Sequence, residues 1–438
     1  MVLRLLLPLL SCSKAVCSRM ATQRLLLGVM MLLALLYTLH VSSYTTNRRW
    51  RRPTPDWMKR GRAESCRPTS DIAFLKTHKC ASSAIQNILF RYGLRHNLHF
   101  ALPDFGNYFG GGLRPFHSGM LVASPWYKLG VNIMAIHTKW DHLEVERVMP
   151  RDTVYLTIVR EPADLFESLY VYTNMEKFPC VLQVYNKTVE EYVLSVPAEA
   201  PRHHKYIGYN QMVWDLGMPE PHMNNLTAVQ HLVRRAEEQF NLVMVADRME
   251  ESLVLMSHLL CWNLTDVLVL KVNARSLKFK RSMSPEVREV LTHKLASDYL
   301  VYDHFVRRFD ELVHDFGRER MAGEVARLRL LTDQLTKTCG FVKKESSMMA
   351  GAERPSSNMV DGYKAESGNS RCTQYTRTEL SFINLLRGQH RMEVARKFGL
   401  RISPGVDALP LGPHMLENPG NIAETINSLK KVLTHTDQ

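Results

Sequence analysis

Between Lys76 and Ser83 the chain reads Lys-Thr-His-Lys-Cys-Ala-Ser-Ser. Two ammonium groups, an imidazole, a thiol and the hydroxyls of Thr77, Ser82 and Ser83 therefore fall within a few positions of one another. Lysine supplies positive charge and the hydroxyls supply hydrogen bonds, a combination that suits a phosphate or sulfate group. An apolar run, Ile72-Ala73-Phe74-Leu75, stops just before this stretch, and Ala84, Ile85, Ile88 and Leu89 recur at helical spacing after it. The pattern predicts a strand, a polar turn and a helix. At such a junction unpaired backbone N–H groups and the helix dipole favour an anion. Residues 71–84 contain no glycine, so this is not the Gly-x-x-x-x-Gly-Lys-Ser/Thr phosphate loop. An ordinary strand–helix turn with solvated lysines is the competing reading.

A second strand end shows related chemistry. Val154–Val159 is apolar, Arg160 follows it, Pro162 suits a first helical turn, and Ser168 lies further along the same helix. At 1.5 Å rise per residue Ser168 stands about 9 Å along the axis from Pro162. Arginine is the residue best shaped for a two-point grip on phosphate, so Arg160 and Ser168 form a candidate second phosphate site. Taken singly, each site is matched by a bland structural reading. Two of them at strand ends of one parallel sheet point to a ligand with phosphates at separate positions, because ligands of such sheets lie beyond the carboxyl ends of the strands.

The elements needed to position these residues are legible as alternation. Ile72–Leu75, Val131–Ile136, Val154–Val159 and Leu242–Val245 read as buried parallel strands. Ala84–Tyr92, Ala163–Tyr172, Val229–Gln239 and Glu251–Leu260 read as helices between them. This predicts an α/β fold with a central, mainly parallel sheet flanked by helices. Residues 285–335 read as mostly helical, residues 343–371 as a loop, and the last sixty or so as ambiguous.

Composition bounds the setting. The chain has 438 residues, 45% of them hydrophobic, and a formal net charge of +13. Much of the excess lies between Arg48 and Arg62, where seven basic residues face a single acid, Asp56. That run suits a membrane-proximal stem, and no zinc-finger spacing or aromatic RNA-binding motif accompanies it. No nucleic-acid partner is expected. Leu25–Val41 is a nearly unbroken apolar run, at the short end of the roughly 17–25 residues of a membrane helix. The expected organisation is a cytosolic tail (1–24), a transmembrane signal-anchor (25–41), a basic proline-containing stem (42–70), a lumenal domain (71–340) and a C-terminal extension (341–438). Arg4, Lys14, Arg19 and Arg24 favour a cytosolic N-terminus, while the arginines after Asn47 argue the other way. Sequons at Asn186, Asn225 and Asn263 favour a lumenal body. Six cysteines past the anchor (Cys66, Cys80, Cys180, Cys261, Cys339 and Cys372) are compatible with disulfides, with pairing undetermined. No metal-binding spacing is present, and no metal is expected.

The Lys79-Cys-Ala-Ser-Ser turn together with Arg160 and Ser168 resembles the two nucleotide-binding elements of sulfotransferases. Over about residues 71–340 the chain is similar to the Golgi galactose 3-O-sulfotransferases, in Phe74-Leu-Lys-Thr-His-Lys-x-Ala-Ser-Ser, Asn87-Ile-Leu-Phe-Arg-Tyr-Gly, Arg160-Glu-Pro-Ala, Asp215-Leu-Gly, Glu250-Glu-Ser-Leu-Val-Leu and Lys271-Val-Asn-Ala-Arg. The resemblance implies a P-loop-like sulfotransferase fold. It also implies 3′-phosphoadenylyl sulfate (PAPS) as donor, a β-galactoside-terminated glycolipid or glycan as acceptor, and a single-pass type II protein of the Golgi membrane. Lys76, Thr77, Lys79, Cys80, Ala81, Ser82 and Ser83 would hold the 5′-phosphosulfate. Arg160 and Ser168 would hold the 3′-phosphate, with Lys271–Arg275 and Lys278–Arg281 as further candidates. Lys79, supported by His78, would neutralise the leaving phosphate oxygen. His137, at the end of Val131–Ile136, would take the acceptor proton, with His142 a weaker competitor, and Asn210 and Trp214 would help shape the acceptor site. The family usually has threonine where Cys80 stands and commonly where Ala84 stands. That departure motivates a second reading, a catalytically silent relative that binds nucleotide or glycan. A sulfotransferase for a different sugar, such as a uronic acid, is a third.

Overall fold

Five parallel strands carry the site, in the order β2-β3-β1-β4-β5. The computed structural model describes residues 66–122, 124–175, 188–270, 283–355 and 357–398, with Met31 and Trp57. The described residues from Cys66 onward belong to one unit. The strands are β1 (Ile72–Leu75), β2 (Phe100–Ala101), β3 (Ile133–Met134), β4 (Val154–Val159) and β5 (Leu242–Val245). Strand β1 lies between β3 and β4, with Ile72 opposite both Ile133 and Val154. Every residue of β1 is buried, as a strand with neighbours on both edges and helices on its faces requires. Each fully buried aliphatic or aromatic side chain there contributes about 1.5–3 kcal/mol.

The helices that position the site are α1 (Ser82–Arg95), α2 (Pro162–Tyr172), α3 (Gln211–Asp215), α4 (Leu226–Gln239), α5 (Met249–Leu259), α6 (Ala296–Phe316), α7 (Arg318–Cys339) and α8 (Glu379–Phe398). Helix α1 buries Ala84, Ile85, Ile88 and Leu89, the positions whose spacing predicted it. Pro162 and the Glu161 side chain start α2, the latter accepting from the Asp164 N–H. Strands β2 and β3 lie on one side of β1, and β4 and β5 on the other. The winding direction therefore reverses between β1 and β4, which opens a crevice beyond their carboxyl ends.

Two expectations differ from the structure, and one strand was not anticipated. The third strand is shorter than Val131–Ile136, because after Met134 the chain pairs with a loop instead, through bridges at Tyr108–His137 and Pro115–Lys139. Strand β2 carried no usable pattern in two residues. Residues 343–371 are not a loop: β6 (Phe341–Glu345) and β7 (Asp361–Ala365) form an antiparallel pair. Those strands are polar and lack apolar alternation, and a Cys339–Cys372 disulfide ties their flanks together. A second disulfide joins Cys66 to Cys261 across 195 residues, a constraint worth roughly 2–5 kcal/mol. Cys80 is free and buried. The anchor at 25–41 apart from Met31, the stem apart from Trp57 and residues 66–70, Cys180, Asn186, the basic segment 271–281 and residues beyond 398 lie outside the described residues. Among the described residues no helix is long and apolar enough to cross a membrane.

Candidate active site

The turn after β1 is held from inside. Lys79 and Ala81 both adopt left-handed φ, 57° and 58°, conformations that cost of order 1–3 kcal/mol each in a non-glycine residue. Side chains pointing into the protein offset that strain. The Thr77 hydroxyl donates to the Ile158 carbonyl at 2.7 Å, the Ser82 hydroxyl donates to the Thr77 carbonyl at 2.5 Å, and the Cys80 thiol reaches the His78 carbonyl at 3.3 Å. Burial pushes the Cys80 pKa up, so the thiol stays neutral. Of the two serines nominated as ligand donors, Ser82 thus spends its hydroxyl within the turn, and Ser83 is half-buried beside it. No side chain caps α1 and no acid stands in its first turn, so its N-terminal N–H groups and dipole suit an incoming anion.

The reactive groups gather behind this turn. Lys76 is 2% exposed. Its Nζ lies 2.6 Å from His137 Nε2 and 3.1 Å from Glu379 Oε2. Burial lowers the Lys76 pKa, and the Glu379 and Asp215 carboxylates oppose that shift. Burial first, then the charges of Lys76 and His78, hold His137 well below the usual histidine range. The ring is therefore neutral. With Nε2 accepting from the ammonium, the tautomer assigned by hydrogen bonding carries its proton on Nδ1, and Nδ1 has no hydrogen-bond partner.

His78 is clamped by Asp215, which accepts from its backbone N–H at 2.7 Å and contacts Nδ1 at 2.8 Å. The other ring nitrogen lies 2.9 Å from the Tyr108 hydroxyl. The His78 and Tyr108 rings stack on His137 with centroids at 4.5 and 4.7 Å. Asp215 ends α3, where Gln211 also bonds its carboxylate at 3.0 Å. The start of α3 is fixed by Asp298 of α6, which accepts from the Met212 and Val213 N–H groups. Burial raises the Asp298 pKa to about 7. Gly217, with φ at 97°, lets the chain return past Trp140: a Cβ there would lie 2.2 Å from the Trp140 carbonyl oxygen. That close approach allows the Trp140 N–H to bond the Asp215 carbonyl at 2.9 Å.

The second turn adjoins the first. Arg160 is half-buried, and its Nη1 donates to the Lys79 carbonyl at 2.9 Å. The Lys79 Nζ stands 3.5 Å over the Tyr172 ring of α2. Ser168 lies one helical turn before Tyr172 on that same face. The structure therefore brings together Lys76 through Ser83, His137 and Arg160, with Ser168 alongside. It also separates the two lysines, since Lys76 touches His137 while Lys79 stacks on Tyr172. His142 pairs instead with Glu146 at 3.2 Å. Asn210 works as a structural tie, accepting from the Asp298 N–H and donating to the Lys294 carbonyl. Trp214 carries Lys139 at 3.6 Å over its ring, and burial lowers the Lys139 pKa to about 8. Tyr108, Tyr172 and Glu379 belong to the site without a signal in the sequence that marks them.

The galactose-3-O-sulfotransferase family model matches residues 6–355. The chain belongs to the galactose-3-O-sulfotransferase family. It is 36% identical over 298 residues to galactosylceramide sulfotransferase of Bos taurus, covering 66% of this chain and 68% of the relative. It is 32% identical over 398 residues to galactose-3-O-sulfotransferase 3 of Bos taurus, covering 82% and 89%. It is 33% identical over 292 residues to galactose-3-O-sulfotransferase 2 of Mus musculus, covering 62% and 70%. The chain is accordingly a transferase, a sulfotransferase acting on galactose, and its α/β sheet with flanking helices is consistent with the family's fold. Among the described residues no cluster of histidine, cysteine and carboxylate side chains has the makings of a metal site.

Proposed function

We propose that this galactose-3-O-sulfotransferase moves the sulfuryl group of PAPS to the 3-hydroxyl of a terminal β-galactose on a glycolipid or glycoprotein glycan. In this reading the chain is held in the Golgi membrane by residues 25–41, with its catalytic body in the lumen. The observation that carries the proposal is the neutral, buried His137, with Nε2 on the Lys76 ammonium, behind an uncapped helix N-terminus at the β1/β4 crevice.

The residues fit a nucleotide phosphosulfate. Left-handed residues in a turn arrange successive N–H groups into an anion-binding concavity, and Lys79 and Ala81 bracket such a turn. This gives the turn a P-loop-like role without glycine. Lys79, Ala81, Ser82 and Ser83 would hold the 5′-phosphosulfate through backbone N–H groups, the Lys79 ammonium and the Ser83 hydroxyl. Arg160 and Ser168 would hold the 3′-phosphate. When bound, PAPS supplies the sulfuryl group and a phosphate leaving group. The acceptor hydroxyl displaces Lys76 from His137 Nε2, and the neutral ring takes the hydroxyl proton there. The ammonium so released would be free to neutralise the negative charge that grows on a leaving phosphate oxygen. Asp215 and Tyr108 keep His78 stacked on the His137 ring, so the base holds its orientation.

The catalytically silent reading rested on Cys80 and Ala84. Both side chains are buried, and the Cys80 thiol faces the His78 carbonyl. The hydroxyls absent at these positions are absent from the interior, which favours transfer. The test is an acceptor panel for the full chain with labelled PAPS: galactosylceramide, type 1 and type 2 lactosamine, core 1 disaccharide and a uronic-acid acceptor, with linkage read by methylation. Label on galactose O3 is expected. Donor binding without turnover on any acceptor supports the silent relative, and label on the uronic acid overturns the galactose assignment.

A further inference from the structure

The carboxylate in direct contact with Lys76 comes from neither phosphate-facing turn. Glu379 opens α8, past the end of the family match at residue 355. One of its oxygens lies 3.1 Å from Lys76 Nζ, and the other accepts from Asn107 Nδ2 at 3.0 Å. Helix α8 is fastened to the sheet-based part of the site. Arg387 donates to the Pro103 carbonyl at 2.9 Å and to the Gly106 carbonyl, and buried Phe382 packs against Phe90 of α1. We propose that Glu379 is a positioning residue for sulfuryl transfer, its carboxylate holding the Lys76 ammonium charged and set against His137, so that the C-terminal helix completes the active site. This rests on the transfer reading above.

A buried ammonium is costly unless it is paired. Among the described residues, the groups acting on Lys76 are Glu379 from α8, His137 after β3 and Asp215 of α3, with His78 and Tyr108 stacked on the His137 ring. Asp215 is already engaged by His78 and Gln211, which leaves Glu379 as the counter-charge in contact. Burial lowers the Lys76 pKa and Glu379 raises it. Removing the Glu379 charge therefore makes Lys76 lose its proton at a lower pH, and whatever depends on the ammonium is lost earlier as pH rises.

Glu379→Gln keeps the size of the side chain and an acceptor for Asn107. In the full chain, kcat for PAPS turnover and the Kd for adenosine 3′,5′-bisphosphate are measured against pH, the latter by calorimetry. The expected result is a fall in kcat on the order of 100-fold near neutral pH, with the alkaline limb of both profiles moved to lower pH. Glu379→Asp, a second variant, restores part of both. Arg387→Gln loosens the docking of α8 without touching the charge, and is expected to lower the Tm with the alkaline limb in place. Profiles of Glu379→Gln that coincide with wild type overturn the inference, as does an equal shift in Arg387→Gln. A wild-type chain that neither binds adenosine 3′,5′-bisphosphate nor turns over PAPS overturns the transfer reading and this inference with it. Wild-type turnover with an unmoved Glu379→Gln profile overturns this inference alone.

Discussion

After β1 the chain takes the residues Lys76 to Ala81 to reach its helix; after β4 it takes only Arg160 and Glu161. The long turn holds two left-handed residues without glycine and ties Thr77, Cys80 and Ser82 inward to carbonyl oxygens. The short turn uses Pro162 and the Glu161 cap to launch α2. It leaves its one long cation, Arg160, half-buried at the surface of the crevice. Strain and inward bonds fix side chains in place, which suits the catalytic part proposed for Lys76 and His78. A long arginine on a short, relaxed turn can follow a phosphate, which suits binding. On the proposed function, one crevice would be lined by a rigid turn for chemistry and an adaptable turn for affinity.

The most severe challenge to that division concerns the two lysines. Lys76 is buried against His137 and Lys79 stacks on Tyr172. His137→Ala is expected to lower the single-turnover rate by roughly 100- to 10,000-fold, the range of general base catalysis. Lys76→Met should do comparable damage. Lys79→Ala should act mainly on donor affinity, with the saturating rate far less affected. The reverse outcome, with Lys79→Ala abolishing turnover and Lys76→Met sparing it, would restore the role that the family resemblance implies for Lys79.

Arg160→Ala tests the other turn. A charge-assisted hydrogen bond to phosphate is worth about 1.5–3 kcal/mol, so the Kd for PAPS should rise roughly 10- to 100-fold, with kcat at saturation little changed. A fall in kcat at unchanged Kd would mean that the Arg160 bond to the Lys79 carbonyl serves the rigidity of the first turn instead.

How far the sequence discloses this arrangement depends on what kind of information each part needs. Strands β1, β4 and β5 and the helices after them repeat local periodicity, and all were legible. So was the proximity of Lys79 and Arg160, because both sit at the ends of β1 and β4, which pair directly in the sheet. The direction of individual side chains was not legible. Thr77, Cys80 and Ser82 turn inward within a turn whose backbone is left-handed at Lys79 and Ala81, and nothing in the residue types announces that. Glu379 was out of reach for another reason. Its partner Lys76 is brought to it by the docking of α8, whose buried face carries Arg387 and His390 among its apolar residues and so breaks the apolar stripe, and a single glutamate at a helix start reads as an ordinary favourable dipole contact. The β6–β7 pair was hidden by its polarity, since only Phe341 and Ala365 join Leu335 in the small apolar cluster around its disulfide.

The smallest expected effect is the most direct probe of the rigid turn. Cys80 stands where the resemblance drawn from the sequence implies threonine, and Cys80→Thr introduces that hydroxyl. If the turn is closed as observed, the new hydroxyl points inward and meets the His78 carbonyl in place of the thiol. The exchange should then alter stability by less than about 1 kcal/mol and kcat/KM for PAPS by no more than roughly threefold, since 1.4 kcal/mol is needed for a factor of ten. A tenfold or greater gain in donor affinity would carry a different message. It would require residue 80 to face the phosphate when ligand is bound, and therefore a turn that breaks its inward bonds on binding. In that case the β1 turn would be as adaptable as its neighbour, and the contrast between the two would lie in their charges and not in their stiffness.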